Sequence, residues 1–283
     1  MAGKILVTGG TGSTGTALAA RLQSADLPVR IASRQPAPNT AQVRFDWEDE
    51  TTYGPALGGV EAVYLVAPVS AADPALTRYP ERVMVPFLRR ALDAGVRRAV
   101  LLSSSAIPEG GPALGQVHQA VREMMPEWSV LQPSWFMQNF VNALRPGIQN
   151  DGEIVTATGD GQVGFIDVGD IAEVAFYALA NAEPHNQAHI LTGPQALSYS
   201  DAAAIISEAA QRPVRHVSIS TQQLQERFMG FGMPAAYAAL LAGLDEGIKH
   251  GAQDRTTTAV EDVTGRPPKS FAAFARENAE AWR

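Results

Sequence analysis

The apolar positions of the first half of the chain fall in short runs: Ile5-Leu6-Val7, Val29 to Ala32, Val43-Arg44-Phe45, Ala62 to Val66, Ala99 to Leu102 and Ser129 to Leu131. Each run has the length and composition of a strand. Between them the spacing changes to that of helices. Ala17, Leu18 and Leu22 share one helical face, and Val83, Phe87, Leu88, Ala91 and Leu92 share another, which Gly95 closes as a C-terminal cap. Strands alternating with helices predict an α/β fold in which a doubly wound parallel sheet of Rossmann type is covered on both sides.

Beyond about Asn150 the rhythm is different. Asp151-Gly152 and Gly159-Asp160-Gly161 are turn signals, and Asp170 with Glu173 has the pattern of a capping box opening a helix over Ile171 to Ala180. A strand at His189 to Leu191, a helix around Asp201 to Gln211 and a strand at Val214 to Ile219 follow. Ser220 to Gln223 caps a further helix, Gly230 to Pro234 is an apolar loop, and an alanine- and leucine-rich helix runs from Pro234 to His250. The end, Ser270 to Trp282, reads as a terminal helix docked through Phe271 and Phe274. The pattern predicts a sheet domain over residues 1–150 and a smaller C-terminal lobe over 151–283, with about 163–193 returning to the main sheet.

Composition narrows the function classes. Of 283 residues, 46% are hydrophobic and 18% charged, the balance of a globular protein, and a net charge of -7 leaves no footprint for a phosphate backbone, so nucleic acid is not an expected partner. With no cysteine there is no disulfide, thiolate metal site or cysteine nucleophile. Met1 to Lys4 lead straight into the first strand without a signal-type apolar region, and no stretch approaches the ~20 apolar residues of a membrane span. The expected compartment is the cytoplasm. Oligomeric state is not legible in the pattern.

One motif carries specific chemistry. Thr8-Gly9-Gly10-Thr11-Gly12-Ser13-Thr14-Gly15 follows a strand and opens a helix, the context that makes a glycine-rich turn a dinucleotide cradle. Gly9 or Gly10 permits the tight turn, Gly12 admits a pyrophosphate to the backbone, and Gly15 lets helix and strand pack closely. The amides of Thr11 to Gly15 and the positive helix end face the phosphates. After the second strand an NAD site places a carboxylate; here Ser33-Arg34 stand there, with no Asp or Glu between Asp26 and Asp46. Arg34 suits a 2′-phosphate, against the alternative of a solvated surface arginine, so NADP(H) is expected in preference to NAD(H). Asp46, with Trp47 beside it, stands where such folds meet the adenine edge, or serves as a loop cap.

The glycine turn, Tyr64 to Pro68, Leu102 to Ser105, Gln132 to Phe140, Val168 to Ala172, Leu191 to Pro194 and Val263 to Pro268 together resemble the NmrA-like group of atypical short-chain dehydrogenases, over essentially the whole chain. Gly115 to His118 ahead of Trp135-Phe136-Met137 is similar to its ergot-alkaloid reductase branch, with the quinone reductases further off. Gln132 departs from the arginine common before the proline. The resemblance implies that Ala67, Pro68, Val69, Ser103 and Ser104 line the ribose and nicotinamide, and that Pro133, Ser134 and Phe136 lie beside the nicotinamide ring. Trp135, Met137, Phe140, Phe231 and Tyr237, with Phe228 and Met233, are candidates for an apolar substrate pocket; for Trp135 and Phe136 a core role is the alternative.

The usual proton donor of short-chain dehydrogenases is a Tyr four residues before a Lys, and this chain cannot form it: its lysines are Lys4, Lys249 and Lys269. His118 and Ser105 are the candidates by family position for any acid role. His185 and His189 are four apart, but Pro184 and the following strand argue against the helix that would pair them on a metal, and no metal is expected. No serine stands in a nucleophile elbow. The sequence therefore reads as an NADPH-dependent reductase of a small activated electrophile (iminium or imine, quinone or enone), with a non-catalytic NADP(H) sensor acting through a protein partner as the alternative.

Overall fold

The computed structural model describes residues 3–68 and 79–283. In chain order the elements are β1 (Lys4–Val7), α1 (Ser13–Ser24), β2 (Val29–Ser33), β3 (Gln42–Arg44), α2 (Tyr53–Leu57), β4 (Val60–Val66), α3 (Glu81–Asp93), β5 (Arg98–Leu102), α4 (Leu114–Met124) and β6 (Glu127–Pro133). There follow α5 (Arg145–Asp151), β7 (Glu153–Thr156), β8 (Gln162–Val163), α6 (Val168–Ala180), β9 (Gln187–Leu191), β10 (Leu197–Ser198), α7 (Tyr199–Ala210) and β11 (Arg215–Ser218). The chain continues through α8 (Thr221–Gly230), α9 (Ala235–Lys249), α10 (Ala259–Thr264) and α11 (Phe271–Glu277).

Seven strands form one sheet in the order β3-β2-β1-β4-β5-β6-β9. β1 pairs in parallel with both β2 and β4, and β2 with β3, β4 with β5 and β5 with β6 are parallel as well. The order reverses at β1, because after β3 the chain crosses to its other side as β4. In such sheets the ligand crevice opens at the carboxyl ends of the strands flanking that reversal, and the turn after Val7 stands at that end of β1.

The chain divides into two compact units: the first holds Met1–Pro133, Val168–Ile190 and Asp262–Gly265, the second Ser134–Asp167, Leu191–Glu261 and Arg266–Arg283. The division falls after Pro133, ahead of the expected boundary near Asn150. The reason is packing: Met137, Phe140 and Ile148 belong to the core formed by Phe165, Tyr199, Phe271 and Trp282, so the segment after β6 is committed to the second unit. The first unit has its own core, in which Leu6, Val63, Leu65, Leu101 and Phe87 are fully buried. Each such side chain contributes roughly 1.5 to 3 kcal/mol by leaving water.

Two local expectations are corrected. α6 begins at Val168, two residues before the capping pattern at Asp170 and Glu173; Glu173 meets Arg21 of α1 at 3.0 Å, and the same guanidinium lies 3.8 Å from the Phe176 ring. α7 begins at Tyr199, ahead of Asp201, because Ser198 and Asp201 form a reciprocal capping box. The box at Ser220 and Gln223 stands as read. At the other end of α6, buried Arg98 of β5 donates to the carbonyls of Leu179 and Asn181 while its Nε holds Glu127 at 2.7 Å, satisfying acceptors a helix end leaves unpaired.

Candidate active site

The first unit presents the glycine turn at the end of β1. α1 starts at Ser13 with Gly12 as its N-cap, in extended conformation and with no side-chain cap bond. Its first amides are left for another acceptor. Gly9 has φ +60° and lies against Val66, while a Cβ on Gly10 would stand 2.4 Å from Ile31. Gly15 is the tightest of the set: a Cβ there would be 2.3 Å from the Gly9 carbonyl oxygen and 2.8 Å from Gly10 Cα. The glycines bring helix and strand close, and the exposed edge of the turn is Thr11-Gly12-Ser13, with Thr14 buried.

Thr8 fastens this turn to the next strand. Its hydroxyl donates to the Tyr64 carbonyl at 2.9 Å and accepts from the Val66 amide at 2.8 Å, and Thr16 Oγ1 donates to the Gly10 carbonyl at 3.2 Å. Sequence reasoning passed over Thr8 and Thr16 as site residues; the signal was there, in a threonine at each end of the glycine run. Ala67 and Pro68 continue from β4 beside the turn. Val69 lies outside the described residues.

Arg34 follows β2 on the edge next to the turn, since Ile31 is level with Val7. It is exposed and makes no hydrogen bond or ion pair among the described residues, so its donors face solvent. Asp46 is half-buried and Oδ1 accepts from the Glu48 amide at 3.1 Å, which is the loop-capping role. Trp47 is buried in an aromatic cluster with Phe45, Tyr53 and Phe87 at centroid distances of 4.9, 6.3 and 5.2 Å. Its ring is part of the first unit's core.

At the end of β5, Ser103 is buried and its Oγ has no hydrogen-bond partner. Ser104 Oγ accepts from the Ala106 amide at 3.2 Å, and the Ser105 amide donates to the Pro133 carbonyl at 3.0 Å. Gln132, the departure from the family arginine, donates to the Ile107 carbonyl at 3.0 Å and anchors the same loop. His118 sits on α4 with 3% exposure and neither ring nitrogen hydrogen-bonded. Burial holds its pKa below the usual histidine value, reinforced by Arg122 and opposed by Glu109, whose Oε2 is 3.9 Å from Nε2. The imidazole is therefore neutral at pH 7 and turned into the fold. His185 and His189, which sequence kept apart, meet without a helix: Nδ1 of the first is 3.0 Å from Nε2 of the second.

In the second unit, Ser134 is buried, its Oγ without a partner, and its amide donates to Leu191 at 2.9 Å. The backbone of Trp135 and Met137 bridges Ile166, at 2.9 and 2.8 Å. Trp135 packs against the core, and Met137 and Phe140 are inside it. Phe140 lies 5.2 Å from Phe165 and 4.9 Å from Phe271, so it builds this unit's interior, where a substrate-facing wall was expected. Phe231 and Tyr237 are exposed.

Residues 5–124 match the NAD dependent epimerase/dehydratase family. The chain is 49% identical to an uncharacterized oxidoreductase, YesF, of Bacillus subtilis (98% of this chain, 96% of that one). It is 38% identical to agroclavine dehydrogenase of Claviceps fusiformis (98% of each). Among solved structures, the NADPH complex of the Escherichia coli NADPH-dependent quinone oxidoreductase superposes with a TM-score of 0.81 at 22% identity, covering 96% of this chain and 99% of that one. No helix among the described residues is long and apolar enough to cross a membrane.

Proposed function

Since this chain belongs to the NmrA-like atypical short-chain dehydrogenases and is an oxidoreductase, we propose that it reduces a small activated electrophile, an iminium or imine, a quinone or an enone, using NADPH. The observation that carries the cofactor half is the cradle itself: Gly15 closed to any Cβ, Gly12 capping α1 without a side chain, and the exposed edge Thr11-Gly12-Ser13. These residues fit a dinucleotide pyrophosphate. Arg34 holds the 2′-phosphate, and the strand-end residues Ala67, Pro68, Ser103 and Ser104 line the ribose side, with Ser103 Oγ available for a hydrogen bond it does not make within the protein. When bound, the cofactor supplies a hydride.

The electrophile class follows from the acids the chain lacks. A simple ketone develops alkoxide charge and needs a positioned donor. The chain has no Tyr-Lys pair, and His118 is neutral and buried. An iminium ion is neutralised by hydride without any proton, and a quinone or enone delocalises the charge, so that a serine hydroxyl such as that of Ser105 suffices. The protein then contributes chiefly orientation. NADPH consumption with a panel of iminium ions, quinones, enones and unactivated ketones tests this. Turnover of the first three and little of the last is expected, with His118→Ala lowering iminium turnover less than about tenfold. Efficient ketone reduction abolished by His118→Ala or Ser105→Ala overturns it, and binding of NADPH without turnover of any acceptor returns the protein to the sensor reading.

A further inference from the structure

Tyr64 stands in β4, level with Val7 of β1, and its carbonyl accepts from both the Thr8 amide and the Thr8 hydroxyl at 2.9 Å. Side chains alternate along a strand. Val63 and Leu65 enter the core shared with α3 and α4, so the Tyr64 ring lies on the other face of the sheet. There α1 and α6 pack on each other, with Leu18 and Leu22 of α1 fully buried. The Tyr64 ring is fully buried as well, and its hydroxyl has no hydrogen-bond partner among the described residues. A phenylalanine would fill the same space without leaving a hydroxyl dry, so an unmade bond at this depth calls for a use.

That use lies at the first turn of α1. Burial pushes the Tyr64 phenol pKa up, and the Thr14 hydroxyl beside it acts in the other direction. Thr14 is buried and is the second residue of α1, in the turn that Gly12 leaves without a side-chain cap. Two hydroxyls are therefore neighbours beneath the helix end, without the alignment of a hydrogen bond. We propose that Tyr64 is a positioning residue of the cofactor cradle: its hydroxyl donates to Thr14 Oγ1 when a dinucleotide loads the first turn of α1, and so holds the Thr14 amide in place for the pyrophosphate. The proposal rests on the NADPH reading above. Because the bond is unmade in the free chain, its free energy is realised only in the loaded state, and it adds to affinity rather than to stability. It acts beneath the pyrophosphate, a part that both nucleotides share, so NADPH and NADH gain alike, whereas Arg34 serves the 2′-phosphate alone.

Titration of NADPH and of NADH, together with thermal melting of the free chain, tests the proposal. Tyr64→Phe is expected to weaken both nucleotides by the same factor, about 3- to 10-fold, the worth of one neutral hydrogen bond, while the free variant melts at or above the wild-type temperature. Thr14→Val is expected to lose the same factor and Thr14→Ser to restore it. The double variant Tyr64→Phe, Thr14→Val is expected to lose no more than either change alone, because both remove one bond. A Tyr64→Phe chain that binds both nucleotides as tightly as wild type overturns the proposal, and so does one whose free form melts lower, or losses that add in the double variant. A wild-type chain that binds neither nucleotide overturns the cofactor reading itself, and the role of Tyr64 falls with it.

Discussion

Arg34 is a side chain whose use is decided by what it does not touch. Its guanidinium faces solvent at the edge beside the glycine turn, with no partner among the described residues. If it holds the 2′-phosphate, Arg34→Ala weakens NADPH by roughly 1 to 3 kcal/mol, about 10- to 100-fold, and leaves NADH nearly unchanged. Titration of both cofactors checks this, and equal losses remove Arg34 from the site. Asp245 is the opposite kind of residue. Burial raises its pKa from 3.8 to about 6 although the Ala157 amide donates to Oδ2 at 3.0 Å. A folded pKa above the unfolded one means that its stabilising contribution is complete below pH 3.8 and is lost as the pH rises through 6. Asp245→Asn keeps the acceptor and removes the charge. It is expected to stabilise the protein by about 1 to 3 kcal/mol at pH 8, a melting shift of several degrees, with the difference vanishing toward pH 4. A wild-type advantage at pH 8 in thermal melts rules this out.

At the scale of elements, the decisive joint is β1–turn–α1. Glycine there is a matter of distance: any side chain at position 15 collides with the Gly9 carbonyl, and relief requires α1 to move off the sheet. Gly15→Ala is expected to cost about 1 to 3 kcal/mol and to abolish measurable NADPH binding. Gly54, in α2, has nothing within 4 Å of a built Cβ and no positive φ, so Gly54→Ala is expected to stabilise by about 0.4 to 1 kcal/mol and leave binding intact. Equal behaviour of the two variants in melting and titration contradicts the cradle geometry. The joint was legible in sequence because a strand, a glycine run and an amphipathic helix follow one another without interruption. The start of α6 was not. It lies at Val168, ahead of the pattern at Asp170 and Glu173, and Glu173 also meets Arg21, well over a hundred residues earlier in the chain.

For the whole molecule, a cofactor held by the first unit must appear in its stability. NADPH at about 100 times its Kd adds roughly 2.7 kcal/mol to the state that binds it, and a rise in melting temperature of about 5 °C is expected, with a smaller one for NADH at the same concentration. No shift with either nucleotide contradicts the cofactor assignment. Comparison with Arg34→Ala in the same assay separates loss of the phosphate contact from loss of the fold.

What the sequence by itself determined is everything written in local periodicity: the parallel sheet, the cradle after the first strand, and the absence of a Tyr-Lys acid. Each depends on residues within a few positions of one another or on composition, and both survive any packing. Only the tertiary structure decided which of the candidate apolar side chains belong to the cores. Trp47, Met137 and Phe140 are apolar at positions where either role has the same spacing, and their neighbours Phe87, Phe165 and Phe271 arrive from distant elements. The same holds for His118, whose burial is set by the core that α4 packs on, and for His185 and His189, joined by the path of the loop and strand between them. Hydrophobicity fixes that a side chain avoids water, and the packing partner that lets it do so is a property of the folded chain.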